Sequence, residues 1–561
     1  MKKVKYDKWY VADFETTTEK FYNEFGNTQV WLYAISDENG KITHWGKTID
    51  DFMEKLEKYY NKTIVYFHNL KFDGSFILNY LINNGFKYLD RVDMNIGKSF
   101  TSLITDDGQF YQITIHFKRG CNVKIQDSLK LLPFKVKKIA EDFGLPIKKG
   151  IIDYDTYVID EQTLDYVFND VSIVAMALKE IKENGMRDMT TASCAYNNFK
   201  NSFILMYSFF PMLDKEFLMT YRNAYRGGRS QVNPRYANKI LNNVKRFDVN
   251  SMYPYIMYSQ ELPYGNPIPI TKMGSYKFEL YKILVSFELK PNHLPTLLRK
   301  GSMFGGEDTY YTNTEQPEVI CISSIDYELL CKHYNIIFLN VLEMWGFKTN
   351  RYMFQNYIDY WYDVKQKNKG AKRLIAKMML NSLYGKFGSN CEGRTKIPFI
   401  NEEGILSFEY SEVKEKRRYY LPVAIAITSY AHKLIDDAIC SVGIDNFIYC
   451  DTDSVHTLKD LPIEMIDNKE LGKFKLEGIE NTSKYVRQKT YVYSEEIDGH
   501  IEYNITCAGM DENSKNYAIQ KYRDTIFEYF GVGFEVEGFK LLPKQVKGGV
   551  ILCKTTFKIK N

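Results

Sequence analysis

The pattern of hydrophobic and polar positions predicts an α/β domain at the start of the chain. Short apolar runs, such as 8–12 and 63–67, are bounded by polar or turn residues, which is typical of strands. Stretches over 50–60 and 163–183 repeat apolar residues three or four positions apart, which is typical of helices. Strand and helix patterns alternate in this way up to about residue 188.

Beyond residue 188 the pattern predicts a larger and more mixed region. A polar stretch around Gly265, Pro267 and Pro269 predicts loops. Lys367-Asn368-Lys369-Gly370 predicts a turn between two helices over 349–368 and 371–386. The remaining predictions, in chain order, are a β-prone polar segment over 388–420, a helix over 422–442, a strand ending at Tyr449, and a β-prone tail beyond 526 with a turn at Gly548-Gly549.

The composition is that of an ordinary globular protein with room for several cores. Of the 561 residues, 45% are hydrophobic and 26% are charged. A net charge of +4 excludes a histone-like mode of DNA binding, yet it is compatible with local basic grooves. The 45 Tyr and 36 Phe belong mostly to cores, and a minority of these rings could stack on nucleic-acid bases.

The sequence gives no sign of export or membrane insertion. The segment Met1–Lys5 is charged and lacks the apolar region of a signal peptide, and the run Phe203–Met206 is far too short to span a bilayer. The nine Cys include no CxxC pair, so neither a zinc site nor a disulfide framework is predicted. A cytosolic protein that does not bind membranes is expected.

The tetrapeptide Asp451-Thr452-Asp453-Ser454 carries the strongest chemical signal. Two carboxylates one residue apart lie on the same face of a strand or tight hairpin, where their mutual repulsion favours a cation. Mg²⁺ suits such a pair because it takes carboxylate and phosphate oxygens. The alternative is an ordinary acidic turn. A second carboxylate site, Asp248 within Phe247–Pro254, favours the metal interpretation and requires a fold that joins distant strands.

A second set of carboxylates lies in the first domain. Asp13 and Glu15 share one strand face, Asp73 follows downstream, and Tyr166 and Asp170 are four residues apart on one helical face. Four carboxylates on three elements could hold two metals, one activating water and the other stabilising the leaving oxygen of a phosphodiester. Tyr166 could orient that water. The alternative is that each acid is a helix cap or a surface charge.

A helical face carries the residues that suit a nucleoside triphosphate. Lys377, Asn381 and Tyr384 are spaced to share one face of a helix, Arg373 extends it by one turn, and Lys365 ends the preceding helix. Cations at this density suit a triphosphate, and the Tyr384 ring offers a flat surface for a base. The alternative is a solvated amphipathic face.

Three further short segments suit contact with nucleic acid. Pro254 restricts Tyr253, whose ring could exclude a 2′-hydroxyl. Lys489-Thr490-Tyr491 could hold a primer phosphate, although a solvated charge is equally compatible with it. Tyr225-Arg226-Gly227-Gly228-Arg229 could let the backbone approach a DNA strand closely, or could form a simple turn.

Taken in order, these motifs resemble those of the protein-primed family B replicative DNA polymerases of small tailed bacteriophages, which are relatives of adenoviral and linear-plasmid polymerases. The matching segments are Asp13–Glu15, Asn69–Asp73 and Tyr166–Asp170 for the exonuclease motifs, Tyr225–Gly228 for the linking motif, Asp248–Pro254, Lys377–Gly385 and Tyr449–Ser454 for polymerase motifs A, B and C, and Lys489–Tyr491 for the primer-binding motif.

The resemblance assigns further roles to individual residues. Ser128, Leu129 and Lys149 resemble accessory exonuclease positions, and Lys149 is counted as catalytic. The implied DNA contacts are His68, Asn69, Phe72, Ser128, Leu129, Phe134, Tyr225, Gly227, Gly228, Thr452, Lys489 and Tyr491. Ser251 joins the nucleotide-binding set and Val249 joins the metal set. One departure is His432, which stands where the corresponding DNA-binding motif usually ends in Arg.

The resemblance implies an α/β and α+β multidomain fold. An RNase H-like 3′–5′ exonuclease domain precedes a right-hand polymerase with two inserted subdomains. The implied domains are the exonuclease over 1–188, the palm over 189–260 and 421–525, a first insert for the terminal protein over 261–353, two antiparallel finger helices over 354–387, a second insert for processivity and strand displacement over 388–420, and the thumb over 526–561.

The implied function is template-directed replication of a linear viral genome, initiated on a hydroxyl of a terminal protein and proofread by the same chain. Two Mg²⁺ per active site are expected, with Mn²⁺ as an alternative. The expected partners of a monomer in the host cytoplasm are primer–template and single-stranded DNA, dNTPs, the terminal protein and a viral single-stranded-DNA-binding protein. The alternatives are a DNA-primed family B polymerase and a non-catalytic DNA-binding protein; a nuclease alone leaves Lys377, Asn381, Tyr384 and Lys489 unused.

Overall fold

The structure, a computed structural model, describes residues 8–59, 63–93, 95–119, 122–299 and 309–560. The charged segment Met1–Lys5, the last residue of the predicted helix over 50–60, and residues 300–308 of the predicted first insert lie outside these ranges.

The N-terminal domain is built on a mixed eight-stranded sheet of order β3-β2-β1-β4-β8-β7-β6-β5. Its strands are β1 (Lys8–Thr16), β2 (Val30–Ser36), β3 (Ile42–Gly46), β4 (Thr63–Phe67), β5 (Lys87–Tyr88), β6 (Ser99–Ile104), β7 (Phe110–His116) and β8 (Val123–Asp127). Its helices are α1 (Glu19–Phe25), α2 (Ile49–Glu57), α3 (Leu70–Asn83), α4 (Val136–Asp142) and α5 (Glu161–Glu183). Strand β1 pairs antiparallel with β2 and parallel with β4, so it lies inside the sheet.

Local sequence explains where the helices of this domain begin. The side chains of Thr48 and Asp160 cap α2 and α5 by accepting from the backbone N–H groups of Asp51 and Thr163. Such caps satisfy backbone donors that have no partner within the helix. Helix α5 then packs the side chains of Val171 and Ala175 against the sheet, within the largest hydrophobic core.

The segment that follows the N-terminal domain is helical and then extended. It contains α6 (Thr191–Ser202), α7 (Met206–Phe209), α8 (Lys215–Tyr221), β9 (Ser230–Val232), β10 (Ile240–Val249) and α9 (Met252–Ser259). Strand β10 ends one residue after Asp248, and α9 begins after a two-residue turn in which Ser251 has a left-handed φ of 55°.

The predicted loop around Gly265 is wrong, because this segment is a strand. The first insert forms a four-stranded sheet of order β11-β16-β12-β15. Its elements are β11 (Leu262–Pro269), β12 (Phe278–Leu289), β13 (Leu298–Arg299), β14 (Thr309–Tyr310), β15 (Glu318–Ser323), α10 (Ser324–His333) and β16 (Tyr334–Asn350). Strand β11 lies at the sheet edge, and its register shifts between Tyr264 and Ile268, which is where proline and glycine are tolerated in a sheet.

Two antiparallel helices follow, α11 (Gln355–Lys367) and α12 (Gly370–Phe387). The turn at Lys367–Gly370 is confirmed, and Gly370 has a left-handed φ of 57°. The predicted start at 349 is wrong, because β16 continues to Asn350, which pairs with Leu262.

The segment predicted as the second insert is a small hairpin, β18–β19, flanked by a short strand pair, β17–β20, and it packs on the N-terminal domain. Its strands are β17 (Glu392–Gly393), β18 (Lys396–Ile400), β19 (Leu406–Tyr410) and β20 (Lys414–Glu415). Leu406 is buried in the core of the N-terminal domain, and the Phe408 ring meets the Phe110 ring edge-on at 6.1 Å between centroids.

A seven-stranded antiparallel sheet joins residues far apart in sequence. After α13 (Leu421–Val442) come β21 (Phe447–Asp451), β22 (Ser454–Thr457), β23 (Phe474–Arg487), β24 (Thr490–Ile497) and β25 (His500–Cys507). The strand order is β25-β24-β23-β10-β22-β21-β9, so β10 lies between β23 and β22. The predicted helix over 422–442 is confirmed, and the strand predicted to end at Tyr449 continues to Asp451.

The chain ends in α14 (Glu512–Tyr522), α15 (Ile526–Tyr529) and a long hairpin of β26 (Glu535–Val546) and β27 (Gly549–Lys558). The tail is therefore helical for one turn before it becomes extended. The base of the hairpin is buried through Val536 and Phe557 in a core that also includes Val492 of the palm sheet. Its tip contacts the N-terminal domain, where the Gln545 amide donates to the Ser75 hydroxyl at 2.9 Å and the Thr28 amide donates to the Lys547 carbonyl at 3.0 Å.

Candidate active sites

Four carboxylates of the N-terminal domain line one cavity of about 1050 Å³. Asp13 and Glu15 point from β1, Asp73 lies in the first turn of α3, and Asp170 lies in α5. Glu15, Asp73 and Asp170 are buried, with 4–7% of their surface exposed. Residues from three separate elements are thus brought to one place.

Four ionised carboxylates are unfavourable in this cavity. Burial, reinforced by the neighbouring Asp170, raises the pKa of Asp13 from 3.8 to about 7. Burial and the other carboxylates likewise raise the pKa of Glu15 and of Asp73 well above their usual values. Carboxylates held together in this way need protons or cations to neutralise them.

Lys149 supplies part of that neutralisation. Its ammonium group forms an ion pair with Asp170, and it lies 4.9 Å from the centroid of the Tyr166 ring. Burial raises the pKa of Asp170 even against this pairing. The Tyr166 hydroxyl is 2.9 Å from the hydroxyl of Tyr154, a cavity residue that the sequence did not single out.

The donor set of this cavity suits a divalent metal. Within the described part of the chain, Asp170 Oδ1 is buried and has no hydrogen-bond partner. An unsatisfied carboxylate oxygen beside Asp13, Glu15 and Asp73 is the hard oxygen environment that Mg²⁺ or Mn²⁺ takes.

Three of the predicted DNA-contact residues, His68, Asn69 and Phe72, line the same cavity. Asn69 caps α3 with a left-handed φ of 74°, and its backbone N–H donates to Asp127 at 3.1 Å. Phe72 lines the cavity beside it. Asp127 also accepts from the backbone N–H of Leu129 at 3.0 Å. These bonds tie this side of the cavity to the strand ends beneath it.

Both ring nitrogens of His68 are within hydrogen-bond distance of other groups of the protein. Nε2 is 2.7 Å from the carbonyl of Phe134, and Nδ1 is 3.0 Å from the hydroxyl of Ser128. Because a carbonyl oxygen only accepts, Nε2 donates to Phe134, and burial lowers the pKa of His68. The face of the ring is the part that remains for the predicted contact with single-stranded DNA.

The second carboxylate site lies on three neighbouring strands of the seven-stranded sheet. Asp248 on β10 pairs with Ser454 on β22, and Asp451 on β21 also pairs with Ser454. The backbone N–H of Val249 donates to the carbonyl of Asp453 at 2.8 Å. Asp248 and the Asp451–Asp453 turn are therefore adjacent, as a shared metal site requires.

This site also holds excess negative charge. Burial, followed by the charge of Asp453, raises the pKa of Asp248 from 3.8 to about 7. Burial also raises the pKa of Asp453. Glu477, which the sequence did not single out, adds to both shifts, whereas Lys377 opposes both. Buried carboxylate oxygens in excess of cations again suit a divalent metal.

The helical face of α12 meets this site from the other side. Lys365 Nζ donates to the Ser251 hydroxyl at 2.7 Å, and Arg373 donates to the Lys365 carbonyl at 2.8 Å. Burial and the nearby charges of Arg373 and Lys377 lower the pKa of Lys365. Asn381 is exposed one turn further along. The cations thus cluster where a polyphosphate would neutralise them.

The rings of Tyr253 and Tyr384 form the floor of this region. They stack at 4.0 Å between centroids with an interplanar angle of 23°. Pro254 is buried in the first turn of α9, where it restricts the backbone that carries the Tyr253 ring.

Lys489 lies beside the same carboxylates. Its ammonium group is 3.3 Å from Asp451 Oδ1, and its backbone N–H donates to the Tyr449 hydroxyl at 3.1 Å. Tyr491 stacks on Tyr485 at 5.0 Å between centroids and belongs to the aromatic cluster behind β21. Its ring is part of the core that positions Lys489.

The segment Tyr225–Arg229 lies against the Asp451–Asp453 turn. The Arg229 carbonyl accepts from the Thr452 backbone N–H at 2.7 Å. A Cβ atom on Gly228 would lie 2.8 Å from the Thr452 side chain, and Gly227 is exposed. The Tyr225 ring covers Gly388, where a Cβ atom would lie 2.5 Å from the ring.

One further cluster of potential metal ligands has another explanation. Ligand atoms of His333, Asp436 and Cys440 lie within 4.8 Å of one another. Asp436, however, accepts from Arg229 at 2.9 Å and from Lys332 at 2.7 Å. The carboxylate is already neutralised by protein cations, and the cluster is an ion-pair network.

Comparison with known proteins agrees with this geometry. Residues 55–158 and 155–470 match the family model described as DNA polymerase type B, organellar and viral. The DNA polymerase of Bacillus phage Nf is 35% identical over 591 residues, covering 99% of this chain and 100% of that protein. The chain belongs to the organellar and viral type B family of DNA polymerases.

Two solved structures share the fold over nearly the whole chain. Phi29 DNA polymerase in complex with primer–template DNA and incoming nucleotide substrates is 35% identical, with a TM-score of 0.88 over 99% of this chain and 100% of that chain. Its complex with single-stranded DNA is 34% identical, with a TM-score of 0.88 over the same shares. The predicted multidomain fold is confirmed, and the chain is a template-directed DNA polymerase of the phi29 type. Every described helix is too short or too polar to cross a membrane.

Proposed function

We propose that this polymerase starts synthesis on a terminal-protein hydroxyl, displaces the non-template strand, and proofreads its product with a 3′–5′ exonuclease. Synthesis and proofreading by one chain are supported by two separate carboxylate clusters, each with a pKa raised to about 7 at one Asp. The negative charge of each cluster requires cations to neutralise it. Different side chains surround the two clusters, so each can act on DNA in a different way. Protein priming and strand displacement are supported by the resemblance to the protein-primed polymerases.

In the polymerase site, the side chains of Asp248, Asp451 and Asp453 would hold two Mg²⁺, with Mn²⁺ as an alternative. When bound, the metals supply charge neutralisation for the attacking and leaving oxygens. Lys365, Arg373 and Lys377 meet the triphosphate, while Asn381 and Tyr384 lie along the same face. Tyr253 closes the sugar side of the pocket, and Lys489 holds the primer strand beside Asp451. Catalysis by these residues is mainly alignment and charge balance.

In the exonuclease site, Asp13, Glu15, Asp73 and Asp170 would hold the second pair of metals. Tyr166 orients the attacking water, and Lys149 holds the Asp170 carboxylate in place. A mispaired terminus frays more easily than a matched one, so it reaches this cavity as single strand and contacts Phe72 and the face of His68. Editing of this kind supplies accuracy that base selection at one pocket cannot reach.

The proposed division of labour follows the domains predicted from the sequence. Residues 1–188 degrade, the palm and fingers extend, the insert over 261–353 receives the terminal protein, and the insert over 388–420 supports strand displacement. Relatives from bacteriophages support action in the cytoplasm of an infected host cell, as a monomer working with a viral single-stranded-DNA-binding protein.

A covalent-adduct assay tests protein priming. The purified polymerase is incubated with the candidate terminal protein, Mg²⁺ and one labelled dNTP, and products are separated under denaturing conditions. A labelled band at the mass of the terminal protein is expected, and it should be absent with Asp453→Ala. Extension of DNA primers without any adduct would instead identify a DNA-primed polymerase.

A further inference from the structure

A buried histidine links the first insert to the loop that supports the catalytic turn. His432 of α13 is 5% exposed, and its Nε2 donates to the carbonyl of Gly227 at 2.6 Å. Its Nδ1 is 2.9 Å from Asp326 Oδ1 of α10. The ring therefore connects a helix of the palm, a helix of the insert and the Tyr225–Arg229 loop.

Asp326 is a fixed point for this connection. It is 5% exposed, and its Oδ2 accepts from the Ser429 hydroxyl at 2.7 Å and from the Ser323 hydroxyl at 3.3 Å. Burial alone would raise the pKa of Asp326, but His432 and the buried Arg226 outweigh it and keep that pKa below its usual value. An ionised and fully bonded carboxylate holds the ring in one orientation.

The loop is anchored again two residues further on. Arg229 is 3% exposed and forms an ion pair with Asp436 of α13 at 2.9 Å. Its carbonyl accepts from the backbone N–H of Thr452, the residue between Asp451 and Asp453. Thr452 has a left-handed φ of 60°, so the turn between the two carboxylates adopts an unusual backbone conformation that its surroundings must maintain.

We propose that His432 is a positioning residue for the polymerase site. By holding the Gly227 carbonyl, it fixes the loop whose Arg229 carbonyl and Gly228 surface support the Thr452 turn, and so it sets the spacing of the two motif carboxylates. The inference rests on the proposed chemistry at Asp248, Asp451 and Asp453. It also explains why His432 is not exposed for a DNA contact of its own.

Two substitutions by amide side chains test the two hydrogen bonds of the His432 ring one at a time. His432→Gln places an amide where Nε2 lies and can still donate to Gly227, whereas His432→Asn places an amide where Nδ1 lies and can still donate to Asp326. His432→Ala removes both. Because small misplacements of catalytic groups are costly, His432→Ala and His432→Asn should lower kcat for primer extension about tenfold or more. His432→Gln should restore kcat to within about threefold of wild type.

Two readouts distinguish positioning from a general loss of structure. The KM for dNTP and the rate of single-strand degradation should stay within about twofold of wild type in all three variants, because the cations of the nucleotide face gather around Lys365 and Ser251, and the Asp13 cluster lies in the N-terminal domain. Equal kcat in the Gln and Asn variants, or restoration by Asn instead of Gln, would overturn the proposal. So would wild-type kcat in the Ala variant.

A second variant keeps the proposal testable if replacing His432 unfolds the protein. Asp326→Asn keeps an acceptor for Nδ1 but removes the charge that holds the ring, so kcat for extension should fall at least about threefold while single-strand degradation stays within about twofold of wild type. Wild-type kcat in a folded Asp326→Asn variant would contradict a role that depends on the orientation of the ring. Failure of wild-type protein to extend any primer would instead refute the underlying polymerase chemistry.

Discussion

The backbone amide of Val249, at the end of β10, donates to the carbonyl of Asp453 at 2.8 Å, although the two residues are about two hundred positions apart in sequence. This bond places Asp248, one residue earlier, beside the Asp451–Asp453 turn. This acidic cluster is separate from the one around Asp13, so extension and degradation should be lost independently.

Asp13→Ala should abolish 3′–5′ degradation and leave primer extension near wild type, whereas Asp453→Ala should do the reverse. Each substitution removes a carboxylate from one cluster alone, and losses of about 10³-fold are expected for a group at the reacting centre. Degradation of labelled single strands and extension of a primed template, measured on the same preparations, check this. If either variant lost both activities while its melting curve stayed normal, the two sites would not be independent.

Tyr253→Val should admit ribonucleotides. The Tyr253 ring is stacked on Tyr384 at 4.0 Å and cannot move aside for a 2′-hydroxyl. Removing it should lower discrimination between dNTP and rNTP by about 100-fold, as measured by the ratio of kcat/KM values. Tyr258→Val, on the same helix, is the matched control. A variant that rejects ribonucleotides as well as wild type does would show that another group excludes them.

The metal-free protein should lose stability as pH rises. The pKa of Asp248 is 3.8 in an unfolded chain and about 7 in the folded protein, so the folded state binds more protons between these values. Stability therefore falls as pH rises from about 4 through about 7, and the full penalty is present above about 7. Asp13 contributes in the same direction.

Melting curves of wild type and Asp248→Asn in a chelator test this. The two should melt alike near pH 4, and the variant should melt at least about 2 °C higher near pH 8. Adding Mg²⁺ at pH 8 should narrow that difference by stabilising wild type. If the difference in melting temperature did not change with pH, the pKa of Asp248 would not be raised in the folded protein.

Lys489→Ala should weaken primer binding in a salt-dependent way. The ammonium group lies 3.3 Å from Asp451 and is the cation that would meet a primer phosphate there. Its loss should reduce the slope of log affinity against log salt by about one and raise the KM for primer–template. Lys118→Ala, an exposed lysine paired with Glu57, serves as the control. An unchanged slope would place Lys489 away from the DNA.

Local patterns predicted much of the fold and the candidate sites. Asp13 and Glu15 share a strand face because side chains two residues apart in a strand point the same way, and Lys377 and Tyr384 share a face because α12 is continuous. The Gly265–Pro269 prediction failed because an edge strand tolerates residues that break an interior strand. The predicted helix start at 349 failed because β16 continues through the pair Asn350–Leu262.

Other residues of the sites had no local signal. Tyr154 reaches Tyr166 across the cavity, and Asp326 reaches His432 between two helices that are distant in sequence. Such contacts depend on how domains pack, which periodicity does not report. The sequence marks His432 only as a departure from a motif. Its burial results from the packing of α10 against α13, which the sequence pattern does not report.

The C-terminal hairpin is fixed at both of its ends. Its base is buried through Val536 and Phe557, and its tip meets the N-terminal domain where Gly548, at a left-handed φ of 94°, leaves no room for a side chain beside the Thr28 carbonyl. Because both ends are held, the hairpin should bend in its middle and not at its tip. Flexure should concentrate in the span near Gly538, where the pairing register shifts and Leu541 and Leu542 are exposed.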